Sequence, residues 1–469
     1  MTVSASRPAS ASRPASAARS TPDTVAQLRA TFRGGRTRPV EWRLAQLDAI
    51  ARLVTEKEAE FAAALAQDLG RGPVEAWLAD LAPVAAEAKF AAKKLQSWMK
   101  PNRVALPVSV RPGKAWYQYE PLGVVLIVGP WNYPLHLVLA PLVGAVAAGN
   151  CAVLKPSEQT PACSALLAEL VPQYLDPDAI AVVEGAADAT QELLDQAFDH
   201  CFFTGSPEVG KVVMAAAAKH LTPVTLELGG KSPVIVAHDA KLNVAARRIA
   251  FAKLLNSGQT CVAPDYVLVH REVRDTFVLE LTKAIDEFSA ESTLPIINSR
   301  HAGRVAGLAA KAGGRTVRGG KFDAEARRAE LTVIVDPDAD ADLMREEIFG
   351  PLLPIVAIDS LDDAIAHVQR GPKPLAVYLF SEDPAHHKRV LEEISNGGTV
   401  INHLMYHLLV NDLPFGGVGN SGSGAYHGKW GYETFSHRKA VLTKPTWFDP
   451  SLAYPPFGRL KQKIMRKIF

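Results

Sequence analysis

Cys261 stands in Asn-Ser-Gly-Gln-Thr-Cys-Val-Ala-Pro-Asp (256–265), between a helix-like stretch and the β-rich residues 266–270. Glycine and polar neighbours at such a junction suit a thiol that substrate must reach and backbone must aim. The other three cysteines, Cys151, Cys163 and Cys201, lie in apolar runs and read as small core residues. Glu227 sits alone in Thr-Leu-Glu-Leu-Gly-Gly-Lys-Ser-Pro (225–233), an apolar strand that ends in a glycine pair. Burial there would raise its pKa towards that of a general base. With the Pro-Trp-Asn-Tyr-Pro loop at 130–134, which carries Asn132, these groups describe covalent catalysis on a carbonyl.

Four glycine patterns compete for a phosphate. Gly417 to Gly422 fits G-x-G-x-x-G literally, yet it follows Leu-Pro-Phe-Gly rather than a strand and opens no helix, so it is a structural loop. Gly205-Ser-Pro-Glu-Val-Gly-Lys (205–211) lies between strand and helix and comes within one residue of a Walker A loop. Val212 replaces the hydroxyl that would hold Mg²⁺. A helix opened by Gly205 and Ser206 still binds a pyrophosphate through backbone N–H groups, which favours a dinucleotide over a triphosphate. The pairs Gly229-Gly230 and Gly397-Gly398 are turns by default. Lys155-Pro-Ser-Glu (155–158) ends a strand where open α/β sheets place ligands. A ribose diol between Lys155 and Glu158 and a surface pair at a helix start stand even. His403 and His407 have the spacing of a zinc helix, but Leu404 follows His403 and the chain has no Cys-x-x-Cys, so a metal centre is rejected.

The elements that must hold these residues are an alternation of strand and helix. The apolar run 121–154 is long enough to span a bilayer, but Pro130, Asn132, Pro134, His136 and Pro141 break it. It parses as strand (123–128), loop, helix (135–148) and strand (151–154). The alternation continues through strands at 179–184, 200–204 and 233–237, with a helix after Pro207. A second series at 266–270, 331–335, 353–358 and 376–380 predicts a second domain. Such interleaving specifies doubly wound, mostly parallel sheets. Residues 51–100 have helical periodicity and form a helical layer.

The chain of 469 residues, 48% apolar and 21% charged, is ample for large cores. A net charge of +2 requires no nucleic acid, and four cysteines point to a reducing, cytoplasmic setting rather than a disulfide framework. Residues 1–22, rich in Ser, Arg, Pro and Ala, read as a disordered tail. At the other end, Leu460, Ile464 and Ile468 recur every four residues among five basic ones, an amphipathic segment able to lie weakly on anionic lipid or to pack on protein.

The ordered motifs at 130–134, 155–158, 225–231, 258–261, Glu-Glu-Ile-Phe-Gly-Pro (346–351) and 413–422 resemble those of aldehyde dehydrogenases. Residues 216–225 and 426–438 resemble the class 3 branch, which takes fatty and aromatic aldehydes. The resemblance implies an α/β fold with an NAD-binding domain (23–102 and 121–228) and a catalytic domain (229–432). It also implies a β arm (103–120 and 433–445) that closes a homodimer, ahead of the tail 446–469. It makes Cys261 the nucleophile, Asn132 with the Cys261 N–H the oxyanion site, and Glu227 the base for hydrolysis. Lys155 and Glu158 would take the adenosine ribose, and Gly205, Ser206 and Gly210 the pyrophosphate. Glu347 would take the nicotinamide ribose and Phe349 the nicotinamide side, while Tyr133 and Trp131 would line the aldehyde funnel. The cofactor implied is NAD, with NADP also accepted. A P-loop NTPase and a cysteine hydrolase are the rival readings.

Overall fold

The computed structural model describes residues 19–289 and 294–468. Val-Val-Leu-Ile-Val at Val124–Val128 is buried throughout, as is Cys151–Lys155. Strands apolar on both faces are stable only between two covering layers, so they pair in parallel under helices. The first sheet has six strands in the order Gly422–Ser423, Val224–Leu228, His200–Gly205, Val124–Val128, Cys151–Lys155 and Ile180–Val182. All neighbours are parallel except the outermost pair, where Gly422–Ser423 runs antiparallel to Val224–Leu228. From Val124–Val128 the chain winds out through Cys151–Lys155 to Ile180–Val182, then returns on the other side to His200–Gly205. The reversal lies between Val124–Val128 and His200–Gly205, and the carboxyl ends there open a crevice. The Pro130–Pro134 loop and Ser206 both begin at that edge.

The second sheet has seven strands in the order Arg315–Arg318, Thr332–Val335, Leu352–Ile358, Tyr266–His270, Pro233–Val236, Ala376–Phe380 and Gly398–Ile401. Only Arg315–Arg318 runs antiparallel to its neighbour. Pro233–Val236, read from the sequence as continuing the first series, is thus central to the second sheet. Apolar content marks a buried strand but not which sheet it joins, because both interiors select the same side chains. The stretch 417–422 is a loop whose last glycine begins the edge strand paired beside Glu227.

The helical layer consists of Val40–Glu56, Glu58–Leu69 and Ala82–Trp98, with a π-helical turn at Trp77–Leu81. A separate antiparallel sheet joins Asn102–Val104, Lys114–Pro121 and Ser436–Thr443. Ser20 caps the first helix, Thr21–Arg33, by accepting the Asp23 N–H, so 21 and 22 leave the tail expected at 1–22. Residues 1–18 of that tail lie outside the described residues. No described helix is long and apolar enough to cross a membrane; the broken run 121–154 folds as two buried strands and the buried helix His136–Ala148.

Candidate active site

Asn256, Ser257 and Gly258 carry φ of 50°, 52° and 71°, three left-handed residues in succession that fold the chain back just before Cys261. Non-glycine residues resist this conformation, and the turn is held by its contacts. Gln259 Nε2 donates to Asn256 O (2.9 Å), Gln259 Oε1 accepts the Ile297 N–H (2.9 Å), and Ser257 Oγ donates to Leu294 O (2.5 Å). A Cβ on Gly258 would lie 2.4 Å from Gly350 O, so this turn also abuts the loop that carries Glu347 and Phe349.

Cys261 is partly exposed as a residue, whereas Cys151, Cys163 and Cys201 are buried. Burial, then the charges of Glu347 and Glu227, push the Cys261 thiol up to about 12, while the N–H groups of Cys261 and Val262 work in the opposite direction. Asn132 is buried, and its Nδ2 donates to Gln259 O at 3.1 Å, which brings the amide to the Cys261 turn. Its backbone oxygen accepts from Asn256 Nδ2 (3.1 Å) and Arg71 Nη2 (2.5 Å). Glu227 is 4% exposed, and neither carboxylate oxygen has a hydrogen-bond partner among the described residues. Burial alone raises its pKa well above the usual carboxyl value. Orphaned buried carboxylates are costly, so packing alone does not account for this group.

Tyr133 is half-buried beside the Cys261 turn. Its hydroxyl lies 2.6 Å from Thr260 Oγ1, so it braces the residue before Cys261. Trp131 turns towards Phe349, ring centroids 5.4 Å apart and nearly perpendicular, and towards His301. Tyr426 is a further ring near these groups, its phenol raised by burial and then by Glu227 and Cys261. Tyr426 stacks on His427 with centroids 4.2 Å apart. The Tyr-His-Gly-Lys string carried this signal, but only as a branch marker.

A second constellation lies along the crevice. Lys155 is 2% exposed, donates to Pro156 O (2.8 Å) and stands 3.8 Å from Glu158, whose side chain is about half exposed. Ser206 caps the helix Pro207–Ala218, its hydroxyl accepting the Val209 N–H at 3.4 Å. Gly210 is buried, and a Cβ there would meet Leu228 Cδ2 at 2.7 Å, so it lets helix and sheet approach closely. Gly229 is likewise more than a turn: its missing Cβ leaves the space taken by the Glu347 carboxylate, which receives the Gly230 N–H. Burial first and Asp265 second push the Glu347 carboxyl up to about 8.

Lys231 holds this loop, donating to Asp265, to Leu343 O (2.8 Å) and to Glu346 O (2.8 Å), while Asp265 Oδ2 accepts the Ile348 N–H (2.9 Å). Sequence reading missed that anchor. Phe349 has φ 44°, a strained conformation that presents its ring beside Trp131. A buried ammonium with an exposed carboxylate, the N-terminus of Pro207–Ala218 and a carboxyl in a glycine notch fit the ribose, pyrophosphate and second ribose of a dinucleotide. Among the described residues no cluster of His, Cys, Asp or Glu has metal-binding geometry.

A sequence model described as the Aldehyde dehydrogenase family matches residues 4–441. The chain belongs to the aldehyde dehydrogenase family. It is 45% identical over 442 residues to the dog "Aldehyde dehydrogenase, dimeric NADP-preferring", covering 92% of this chain and 97% of that one. It is also 45% identical over 445 residues to mouse "Aldehyde dehydrogenase family 3 member A2", covering 93% and 92%. Among solved structures, "Substrate bound state of Staphylococcus Aureus AldH" superposes with a TM-score of 0.92 at 42% identity over 95% of this chain and 99% of that one. Similarity to family 3 members agrees with the class 3 resemblance of the motifs.

Proposed function

We propose that this aldehyde dehydrogenase converts an aldehyde to the carboxylic acid with NAD or NADP through an acyl-enzyme on Cys261. The observation that carries the reading is one site joining the thiol of partly exposed Cys261, a buried amide and an unpartnered buried carboxyl. In this reading Cys261 gives up its proton to solvent and attacks the carbonyl carbon as the thiolate. The new oxyanion receives the Asn132 amide and the Cys261 N–H, each donor worth about 3 kcal/mol in comparable sites. Bound nicotinamide dinucleotide supplies the hydride acceptor through which thiohemiacetal becomes thioester. Glu227 then takes a proton from water, the hydroxide adds to the thioester carbon, and the C–S bond breaks to release the acid while Glu227 returns its proton to the Cys261 sulfur. Burial raises the Glu227 pKa above the usual carboxyl value, which favours proton acceptance. Glu347 is the alternative base, held mainly as the ribose ligand.

We assign the six-stranded sheet to the dinucleotide and the seven-stranded sheet to carrying the nucleophile. Glu158 would accept the adenosine 2′-hydroxyl and repel a 2′-phosphate, while Lys155 at 3.8 Å offsets part of that repulsion. NAD is therefore the favoured cofactor, NADP the second, although relatives are described as NADP-preferring. Aromatic and medium or long aliphatic aldehydes are the expected substrates, since an apolar tunnel takes both. An aldehyde panel with each cofactor, reporting kcat/KM and acid product, tests this. Absence of reduced cofactor with every aldehyde would reject the function, and a strong native NADP preference, or a gap unchanged in Glu158→Gln, would reject the ribose assignment.

The three-stranded sheet supports a homodimer, as in the relatives described as dimeric. It leaves an apolar surface hollow of about 480 Å³, lined by residues including Leu106, Trp116 and Leu442, for a second copy to cover. The setting is proposed as cytoplasmic, in keeping with four free thiols. The C-terminal helix Arg459–Ile468 has no buried residue, and Trp447, Phe448, Tyr454 and Phe457 before it are also exposed. Exposed aromatics followed by an amphipathic basic helix support peripheral contact with anionic lipid.

A further inference from the structure

Arg71 and Asp80 are side chains 1% and 0% exposed, paired far from any surface. Both belong to the helical layer. Arg71 follows Gly70, the left-handed C-cap of Glu58–Leu69, and Asp80 lies in the π-helical turn Trp77–Leu81. Arg71 Nη1 donates to Asp80 Oδ2, and Nη2 donates to Asn132 O at 2.5 Å. The guanidinium also lies over the Tyr133 ring, 4.5 Å from its centroid. Asp80 Oδ1 accepts the N–H groups of Leu135 and His136, each at 3.2 Å. One ion pair therefore grips the loop at residues 132, 133, 135 and 136. From there Tyr133 reaches Thr260, and Asn132 reaches Gln259 O, the two residues that join the turn to Cys261.

We infer that the Arg71–Asp80 pair is a clamp that sets the Asn132 amide relative to the Cys261 sulfur, which makes Arg71 a positioning residue for aldehyde capture. A buried ion pair contributes little net stability against desolvation, so placement is the better account of this one. The planar fork matters, because only a guanidinium bonds Asp80 and Asn132 O at fixed angles while stacking on Tyr133. Displacing an oxyanion donor by 1 Å costs about 100-fold in rate.

The proposal rests on the oxyanion reading of Asn132, so Asn132→Ala is measured first, as the rate of the reduced-cofactor burst in the full-length enzyme. A native burst in that variant sinks the oxyanion reading and the clamp with it. The clamp itself is tested with Arg71→Met/Asp80→Asn, which removes both charges and leaves none buried alone. Its burst is expected about 30- to 100-fold slower than native, with unchanged dinucleotide affinity by fluorescence titration. Introduced into Asn132→Ala, the same pair of changes is expected to slow the burst less than about twofold, since there is no amide left to position. A burst within twofold of native in the pair variant, or an equal slowing with and without the Asn132 amide, overturns the inference. Arg71→Lys keeps the charge, and so the fold, but not the fork. Its burst is expected about tenfold slower, with the same dependence on Asn132, and that comparison decides should the double variant fail to fold.

Discussion

A buried carboxyl without a partner makes stability depend on pH, and Glu227 is such a group. Its folded pKa is raised above the unfolded value. The unfolded chain therefore releases this proton from about pH 4.5 upward while the folded one retains it. The native state binds more protons, so stability falls as pH rises through that window. Glu347 adds the same sign between about 4.5 and about 8. Glu227→Gln should thus melt higher than native protein, on the order of 2 °C per kcal/mol of burial penalty relieved, with a gap wider at pH 8 than at pH 5. A gap that shrinks with pH, measured by calorimetry, would place Glu227 in a solvated setting. Glu227 was legible from one acid in an apolar strand, and Cys261 from its glycine-flanked junction. Arg71 and Asp80 were not, since each looks like an ordinary surface charge until the fold brings it to Asn132. The close approach of helix and sheet at Gly210 was not legible either, because a glycine early in a helix serves phosphate approach and sheet approach equally well.

Among elements, the left-handed turn at Asn256–Gly258 aims the nucleophile. Gly258→Ala places a side chain at φ 71° and 2.4 Å from Gly350 O, so both the turn and the Glu347 loop must shift. The strain alone costs about 1 kcal/mol, and turnover should fall more than about 10-fold, since reacting atoms tolerate little displacement. Native kcat in that variant would show that the turn does not aim the thiol. Strand positions were readable from continuous apolar runs, and helix starts from residues such as Ser206. Sheet membership was not, as Pro233–Val236 shows. The turn itself was hidden because Asn256 and Ser257 are common loop residues whose positive φ comes from tertiary bonds such as Ser257 to Leu294.

For the whole molecule, the three-stranded arm and the exposed C-terminal helix make separable claims. Truncation after Pro456 should leave the mass in sedimentation equilibrium at twice the chain, because the apolar hollow on the arm remains. The same truncation should abolish co-sedimentation with anionic vesicles, and salt should weaken binding of the full chain. Equal, negligible binding by both forms would remove the membrane from the account, and a monomeric full chain would remove the dimer. The account stands or falls on the acyl-enzyme. Glu227→Gln mixed with aldehyde and NAD should release about one equivalent of NADH per site and then nearly stop, because its base is gone. Intact-protein and peptide mass spectrometry of the quenched mixture should find the acyl group on Cys261, and Cys261→Ala should give neither burst nor adduct. Unslowed turnover in Glu227→Gln, an acyl group on another residue, or aldehyde oxidation by Cys261→Ala at near-native rate would contradict it.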